Sequence, residues 1–93
     1  MDYKLSLQYE AILDMREAFI WYEEQKAGLG YSFLEEVENC YQKLCNNPEH
    51  YGLLNKWVRR MKVNGFPYLI IYEMENDEVI VNSVFHTSKS PKH

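Results

Sequence analysis

The spacing of apolar and polar residues changes from a strand period to a helix period near the N-terminus. Tyr3, Leu5 and Leu7 alternate with polar residues, and this alternation is typical of a half-buried strand. From Ala11 onward, apolar residues recur every three or four positions, which predicts an amphipathic helix. The predicted buried stripe of this helix consists of Ile12, Met15, Phe19 and Tyr22.

A second helix is predicted after a short turn that contains glycine. Gly28 and Gly30 should end the first helix, because glycine most readily adopts the left-handed conformation found at helix C-termini. The second helix should begin near Ser32, with acidic residues close to its first turns, where they favour the helix dipole. Its apolar stripe comprises Leu34, Val37, Tyr41 and Leu44. The 46–48 segment should end it, since Pro48 cannot continue the backbone hydrogen bonds.

Three strand-like runs occupy the C-terminal part of the chain. They are Lys56–Val63, Phe66–Met74 and Glu78–His86. An Asn64-Gly65 pair between the first two runs is a strong signal for a tight hairpin. The whole pattern predicts an α+β fold in the order β-α-α-β-β-β, with a three-stranded antiparallel meander in one sheet and a helical hairpin on one face.

The composition fits a single globular domain over residues 1–93. Hydrophobic residues make up 46% of the chain and charged residues 26%, which is too apolar for disorder and too interrupted for a membrane protein. No apolar run approaches the roughly 18 residues of a spanning helix. Residues 1–10 do not have the pattern of a secretion signal. We therefore expect one cytoplasmic domain that does not engage a membrane.

Charge is distributed unevenly along the chain, whose net charge is −4. Residues 1–55 hold ten acids and four bases, whereas residues 56–93 hold four acids and six bases. A basic strand region within an acidic protein allows a local site for an anionic group, but the molecule as a whole is not attracted to a polyanion. This balance argues against a simple nucleic-acid-binding protein.

The sequence offers no pattern that predicts a metal or a cofactor. Cys40 and Cys45 lie five residues apart on one predicted helix, so they project from different sides and suit neither a disulfide nor a zinc site. We expect both to be inert thiols. A phosphate-binding glycine loop, a nucleophile with its partners and a pair of catalytic carboxylates are not recognisable either.

A short signature near the middle of the chain gives the most specific functional indication. Val58-Arg59 is followed, after six residues, by Phe66-Pro67-Tyr68. Segments 71–73, 79–81 and 84–86 follow this signature, and the turn at 27–30 with Phe33 precedes it. Together they resemble toxins of the RelE/ParE superfamily of type II toxin–antitoxin systems, which includes plasmid stabilisation proteins. The resemblance extends over most of residues 11–91.

This resemblance implies a small bacterial toxin whose groove is occupied by an antitoxin peptide until the antitoxin is degraded. Superfamily members that resemble ParE block DNA gyrase and so inhibit growth, whereas those that resemble RelE cleave mRNA on the ribosome without a metal. The fold does not choose between these activities. A gyrase-directed toxin is the better fit to the weak catalytic signature, and the alternatives are a ribosome-dependent endoribonuclease and an inactive member that only binds antitoxin. Assembly as a homodimer or as a toxin–antitoxin hetero-oligomer stays open.

If the chain is a ribonuclease, the resemblance places its catalytic groups at Arg59, His86 and Lys89. An arginine can hold a phosphate through two parallel hydrogen bonds, and histidine has a pKa suited to proton transfer near neutrality. The family often has arginine where this chain has Lys89, and lysine lacks the bidentate fork. Arg59 has an alternative structural role as a partner of an acid such as Glu73, and His86 has one as a hydrogen-bonded strand terminus.

Four further strand residues are candidates for contact with the target or with a phosphate. Arg60 and Lys62 share one strand face and are either ligand contacts or solvated charges. Tyr68 and Tyr72 lie on one face of the following predicted strand. They either stack on a base or pack against the helical hairpin. The nearby Trp57 is interpreted as a large core or interface residue.

Overall fold

The chain forms the predicted sequence of strands and helices. A computed structural model describes residues 3–88. Its elements are β1 (Lys4–Leu7), α1 (Tyr9–Gln25), α2 (Leu29–Asn46), a short 3-10 helix (Pro48–His50), β2 (Val58–Lys62), β3 (Tyr68–Glu75) and β4 (Glu78–His86). No helix in this part of the chain is long and apolar enough to cross a membrane.

The four strands form one sheet in the order β1-β4-β3-β2. Strands β2, β3 and β4 make the expected antiparallel meander, and β1 pairs in parallel with β4. The predicted α+β fold with β-α-α-β-β-β order is therefore confirmed. The sheet is mixed because the helical hairpin separates β1 from the meander and allows β1 to align with the last strand.

The helical hairpin packs against one face of the sheet and leaves the other face, called here the open face, without a helix. Tyr68, Ile70 and Tyr72 on β3 are buried in the core that the hairpin forms with the sheet. Leu69 and Ile71 alternate with them and are only half-buried, because successive side chains of a strand point to opposite faces. Two chemically different surfaces of the sheet result from this one-sided packing.

The buried side of α1 differs by one position from the predicted stripe. Ala11, Ala18 and Tyr22 are buried, and Met15 and Phe19 are half-buried, but Ile12 is exposed. Ile12 was predicted to be buried, and this prediction was wrong because the small Ala11 and Ala18 occupy the buried side of the helix. Alanines at the contact allow helix and sheet to approach closely, and the larger side chain is left outside.

A close approach between the two helices fixes the turn that joins them. Gly28 has a φ of 90° and precedes α2, so it adopts the expected left-handed conformation. Gly30 lies inside α2, which begins at Leu29 rather than near Ser32. A Cβ atom on Gly30 would lie only 2.6 Å from the carbonyl oxygen of Phe19, and the Gly30 amide donates to Glu23 Oε1 at 2.8 Å.

Replacing Gly30 with alanine is expected to destabilise the protein by about 1–3 kcal/mol, because the added methyl group must displace the backbone of α1. Urea unfolding measures the change. Gly52→Ala is the matched control, since a Cβ at Gly52 meets nothing within 4 Å. Equal stability of the two variants would contradict the close contact between the helices.

Candidate functional site

The candidate residues are divided between the two faces of the sheet. The helix-covered face carries Arg59, Tyr68, Tyr72 and His86, which belong to the cross-strand rows Arg59–Tyr72 and Tyr68–His86. Arg60 and Lys62 alternate with Arg59 along β2 and therefore project from the open face. Lys89 lies outside the described residues.

Arg59 is bonded to the segment that connects α2 to β2. Its Nη1 atom donates hydrogen bonds to the carbonyl oxygens of Tyr51 at 2.7 Å and Glu49 at 3.2 Å. Glu73, the acid considered as its partner, instead accepts a hydrogen bond from Asn82 Nδ2 at 3.0 Å. The half-buried guanidinium thus attaches the connecting segment to the edge of the sheet.

The two tyrosines on β3 belong to the core. Tyr72 is fully buried, and its hydroxyl donates a 2.7 Å hydrogen bond to the carbonyl oxygen of Pro48. Burial raises the pKa of Tyr72 to about 12, although the nearby Arg59 opposes this shift. Burial also raises the pKa of Tyr68 to about 12, and its ring lies 5.0 Å from that of Phe33. Both side chains thus pack against the hairpin and do not present a free ring to a base.

His86 lies at the other end of the covered face from Arg59. Its ring makes an edge contact with Tyr68, with 4.9 Å between centroids, and its Nδ1 atom accepts a hydrogen bond from the Ser88 amide at 3.0 Å. Arg59 lies beside Tyr72 of β3 and His86 lies beside Tyr68. Tyr68 and Tyr72 are four residues apart, which corresponds to about 13 Å along a strand. The structure therefore does not bring these two residues into one catalytic site.

Arg60 and Lys62 form a cationic border at the β2 edge of the open face. Both side chains are exposed. Arg60 lies beside Ile71 of β3 and Lys62 beside Leu69. The Nζ atom of Lys62 donates to the carbonyl oxygens of Val63 at 3.0 Å and Phe66 at 2.8 Å, so the strand hairpin holds this ammonium group in place.

An apolar strip runs across the open face next to this cationic border. Its half-buried members come from two strands and are Leu69, Ile71 and Phe85. In the next row of the same face, Glu73 lies between Val58 and Ile80. Phe85 lies directly beside Leu69 in the β3–β4 register. Apolar side chains flanked by cations match the two sides of an amphipathic segment that carries acidic residues. The open face therefore has the chemistry of a peptide-binding surface.

A second apolar surface lies in the connection between α2 and β2, at residues 53–57, which we call the 53–57 loop. Leu53 is 56% exposed, Leu54 46% and Trp57 71%. The sequence indicated Trp57 as a core or interface residue but did not indicate the exposed leucines beside it. The predicted strand begins at Lys56, whereas β2 starts only at Val58. Two leucines and a tryptophan within five residues, without a strand or helix period, were the signal available.

Both cysteines lie on α2 and are not joined in a disulfide. The buried Cys40 Sγ donates a weak hydrogen bond to the carbonyl oxygen of Lys62 at 3.8 Å. Burial raises the pKa of the Cys40 thiol, which disfavours the reactive thiolate. Among residues 3–88, no three His, Cys, Asp or Glu side chains are grouped so that they could hold a metal ion.

Solved structures with the same fold come from a ParDE system and from the toxin RelE. A chain of the chromosomal ParDE toxin–antitoxin system of P. aeruginosa matches with a TM-score of 0.82 and 11% identity, over 92% of this chain and 97% of that chain. A mutant of the E. coli toxin RelE in the free state matches with a TM-score of 0.71 and 19% identity, over 95% and 86%. The isolated E. coli RelE toxin gives a TM-score of 0.69 at 19% identity, over 95% and 87%.

The family is determined by the sequence match, since structural likeness at such low identity establishes only the fold. No curated protein sequence matches the chain significantly. A family model described as "ParE toxin of type II toxin-antitoxin system, parDE" matches residues 5–91, which is nearly the whole chain. The chain therefore belongs to the ParE toxin family of type II toxin–antitoxin systems, within the RelE/ParE superfamily.

Proposed function

We propose that this toxin arrests bacterial growth in the cytosol by binding DNA gyrase, and that a cognate antitoxin prevents the arrest. The proposal depends on one observation, which is that Arg59 and His86 lie apart in a chain of the ParE family. Arg59 is bonded to two carbonyl groups, and His86 lies about 13 Å away along the sheet. An inhibitor that acts by binding needs a complementary surface and no assembled catalytic group.

A ribosome-dependent endoribonuclease is the second candidate, and it is favoured by one observation. Arg60 and Lys62 are both exposed on the open face, two residues apart on one strand, where they are accessible to the phosphates of an RNA. The net charge of −4 opposes this function, because long-range attraction of a polyanion requires a positive field.

The antitoxin is proposed to occupy the open face of the sheet. Its apolar residues would cover the strip that includes Ile71 and Phe85, and its acids would lie near Arg60 and Lys62. Apolar anchors are expected to supply most of the binding energy, whereas charge sets the approach and orientation. The resulting complex is a toxin–antitoxin hetero-oligomer.

The purified toxin is expected to inhibit supercoiling by bacterial DNA gyrase and to leave mRNA intact in a ribosome-containing translation extract. Plasmid supercoiling and primer extension on the translated message are the two measurements. Antitoxin added in excess should restore supercoiling. Cleavage of the message with normal supercoiling would contradict the proposal and support the endoribonuclease, while antitoxin binding without either effect would identify an inactive family member.

Arg59→Ala is expected to lower the free energy of unfolding by about 1–3 kcal/mol, because two carbonyl groups lose a charged donor. Arg60→Ala is the control, since its side chain is exposed on the same strand; its stability should change by less than about 0.5 kcal/mol. Urea unfolding gives both values. If Arg59→Ala keeps full stability and antitoxin affinity but abolishes growth arrest, Arg59 contacts the target instead.

Ile71→Thr is expected to weaken antitoxin binding about tenfold, because it removes apolar contact area from the middle of the open face while keeping a β-branched residue in the strand. Isothermal titration calorimetry with the antitoxin measures this change. Ile20→Ala is the control, because Ile20 is exposed on α1, away from the open face. A larger effect of Ile20→Ala would place the antitoxin on the helices.

A further inference from the structure

The 53–57 loop presents large apolar side chains to solvent. Leu54 and Trp57 are about half and more than two thirds exposed. Isolated apolar residues at a surface are ordinary, but a cluster of three within five residues in a chain of 93 is typical of an interaction surface. Tryptophan is also the residue type most enriched among the energetic anchors of protein interfaces.

Hydrogen bonds hold the loop at both ends and across its turn. Asn55 Oδ1 accepts from the amides of Trp57 at 2.9 Å and Val58 at 3.0 Å. The Leu54 amide donates to the carbonyl oxygen of Val58 at 2.7 Å, and the Arg60 amide donates to that of Gly52 at 3.0 Å. These hydrogen bonds favour one conformation of the loop, and a conformation set before binding reduces the entropy lost on binding.

The loop and the strand that follows it are cationic along the chain, while Glu73 of β3 lies beside Val58. Residues 53–62 contain four bases and no acid. The Nζ atom of Lys56 lies 5.1 Å from the centre of the Trp57 ring, so one ammonium group sits directly beside the apolar anchor. Arg60 and Lys62 follow on the adjoining strand and are exposed. A partner surface that accepts this loop must therefore combine an apolar floor with an acidic rim.

We infer that the 53–57 loop is the element that docks into the toxin's target protein, with Trp57 and Leu54 inserted into an apolar pocket of the target that is bordered by acidic side chains. This inference rests on the proposed function and identifies the part of the toxin that contacts gyrase. It separates that contact from the antitoxin, whose anchors are placed on the open face of the sheet.

A target protein fits the loop better than a nucleic acid or a second copy of the chain. Leu53 and Leu54 cannot stack on bases as aromatic rings do, and the molecule carries a net charge of −4. A second copy offers the exposed apolar residues of α1, including Ile20 and Trp21, but these form a helix surface and not a pocket. The pocket that a second copy does have, beside Tyr3 and Pro48, is lined mainly by polar and acidic side chains, which do not provide an apolar floor.

The test compares the full-length toxin with Trp57→Ala in supercoiling assays and in direct binding to gyrase. We expect at least a tenfold loss of inhibition and of gyrase affinity, with unchanged melting temperature and antitoxin affinity. Trp21→Ala is the matched control, since Trp21 is 55% exposed on α1, and it should inhibit like the wild type. Lys56→Glu should slow association with gyrase and reduce its dependence on salt.

The outcomes separate the inference from the proposed function. A wild-type toxin that inhibits gyrase together with a Trp57→Ala variant of equal potency overturns the role of the loop and leaves the gyrase-directed function standing. A wild-type toxin without effect on gyrase overturns both. Loss of antitoxin affinity, of self-association or of binding to a fluorescent single-stranded oligonucleotide in Trp57→Ala would assign the loop to that other partner and also overturn the inference.

Discussion

Packing of the α1–α2 hairpin against a single face of the sheet divides the strand residues into two sets with different roles. On the covered face, the rings of Tyr22, Phe33 and Tyr68 contact one another at 5.0 to 6.2 Å between centroids. This aromatic cluster, with the glycine-dependent approach of the two helices at Gly30, forms the core. The open face keeps apolar residues that no helix covers, because a chain of 93 residues supplies only one helical layer.

The same division explains why an arginine in the family signature has an internal partner. Arg59 projects to the covered face at the edge of the sheet, beyond the helices, where the carbonyl groups of Glu49 and Tyr51 are available. Tyr72, its neighbour across the strands, bonds to Pro48 in the same segment. Two side chains from the sheet thus attach one short segment, and the conformation of the following 53–57 loop depends on the register of β2 and β3.

The order of elements could be predicted from sequence because each boundary has a local cause. Asn64-Gly65 makes the hairpin turn with Gly65 at a φ of 82°, and the change of period near Ala11 separates β1 from α1. The sequence does not show which side of β3 the helices cover. Residues 68–72 are apolar at every position, so either side of the strand could be buried. Strand parity correctly separates Arg59 from Arg60, but only the tertiary structure shows which of the two reaches solvent.

The two candidate surfaces were harder to predict than the core, because neither follows the strand or helix period of apolar residues. The open face is assembled from strands distant in sequence, so Phe85 and Leu69 become neighbours only through the β3–β4 register. In the 53–57 loop, the Asn55 side chain accepts hydrogen bonds from the amides of Trp57 and Val58. This turn precedes the start of β2 at Val58, and Trp57 lies outside the core. The sequence left Trp57 open as a core or an interface residue, because its position relative to the strand depends on this turn.

Charge connects the open face with the loop even though their apolar anchors are separate. Helical residues 9–46 hold eight acids and three bases, whereas residues 53–62 hold four bases and no acid. Arg60 lies three residues after Trp57, and three residues span at most about 10 Å, which is comparable to the Debye length of about 8 Å at physiological salt. Acidic antitoxin residues beside Arg60 would therefore lower the positive field around the loop. On the placement proposed above, an antitoxin bound to the open face would also weaken the steering of an acidic target pocket toward Trp57.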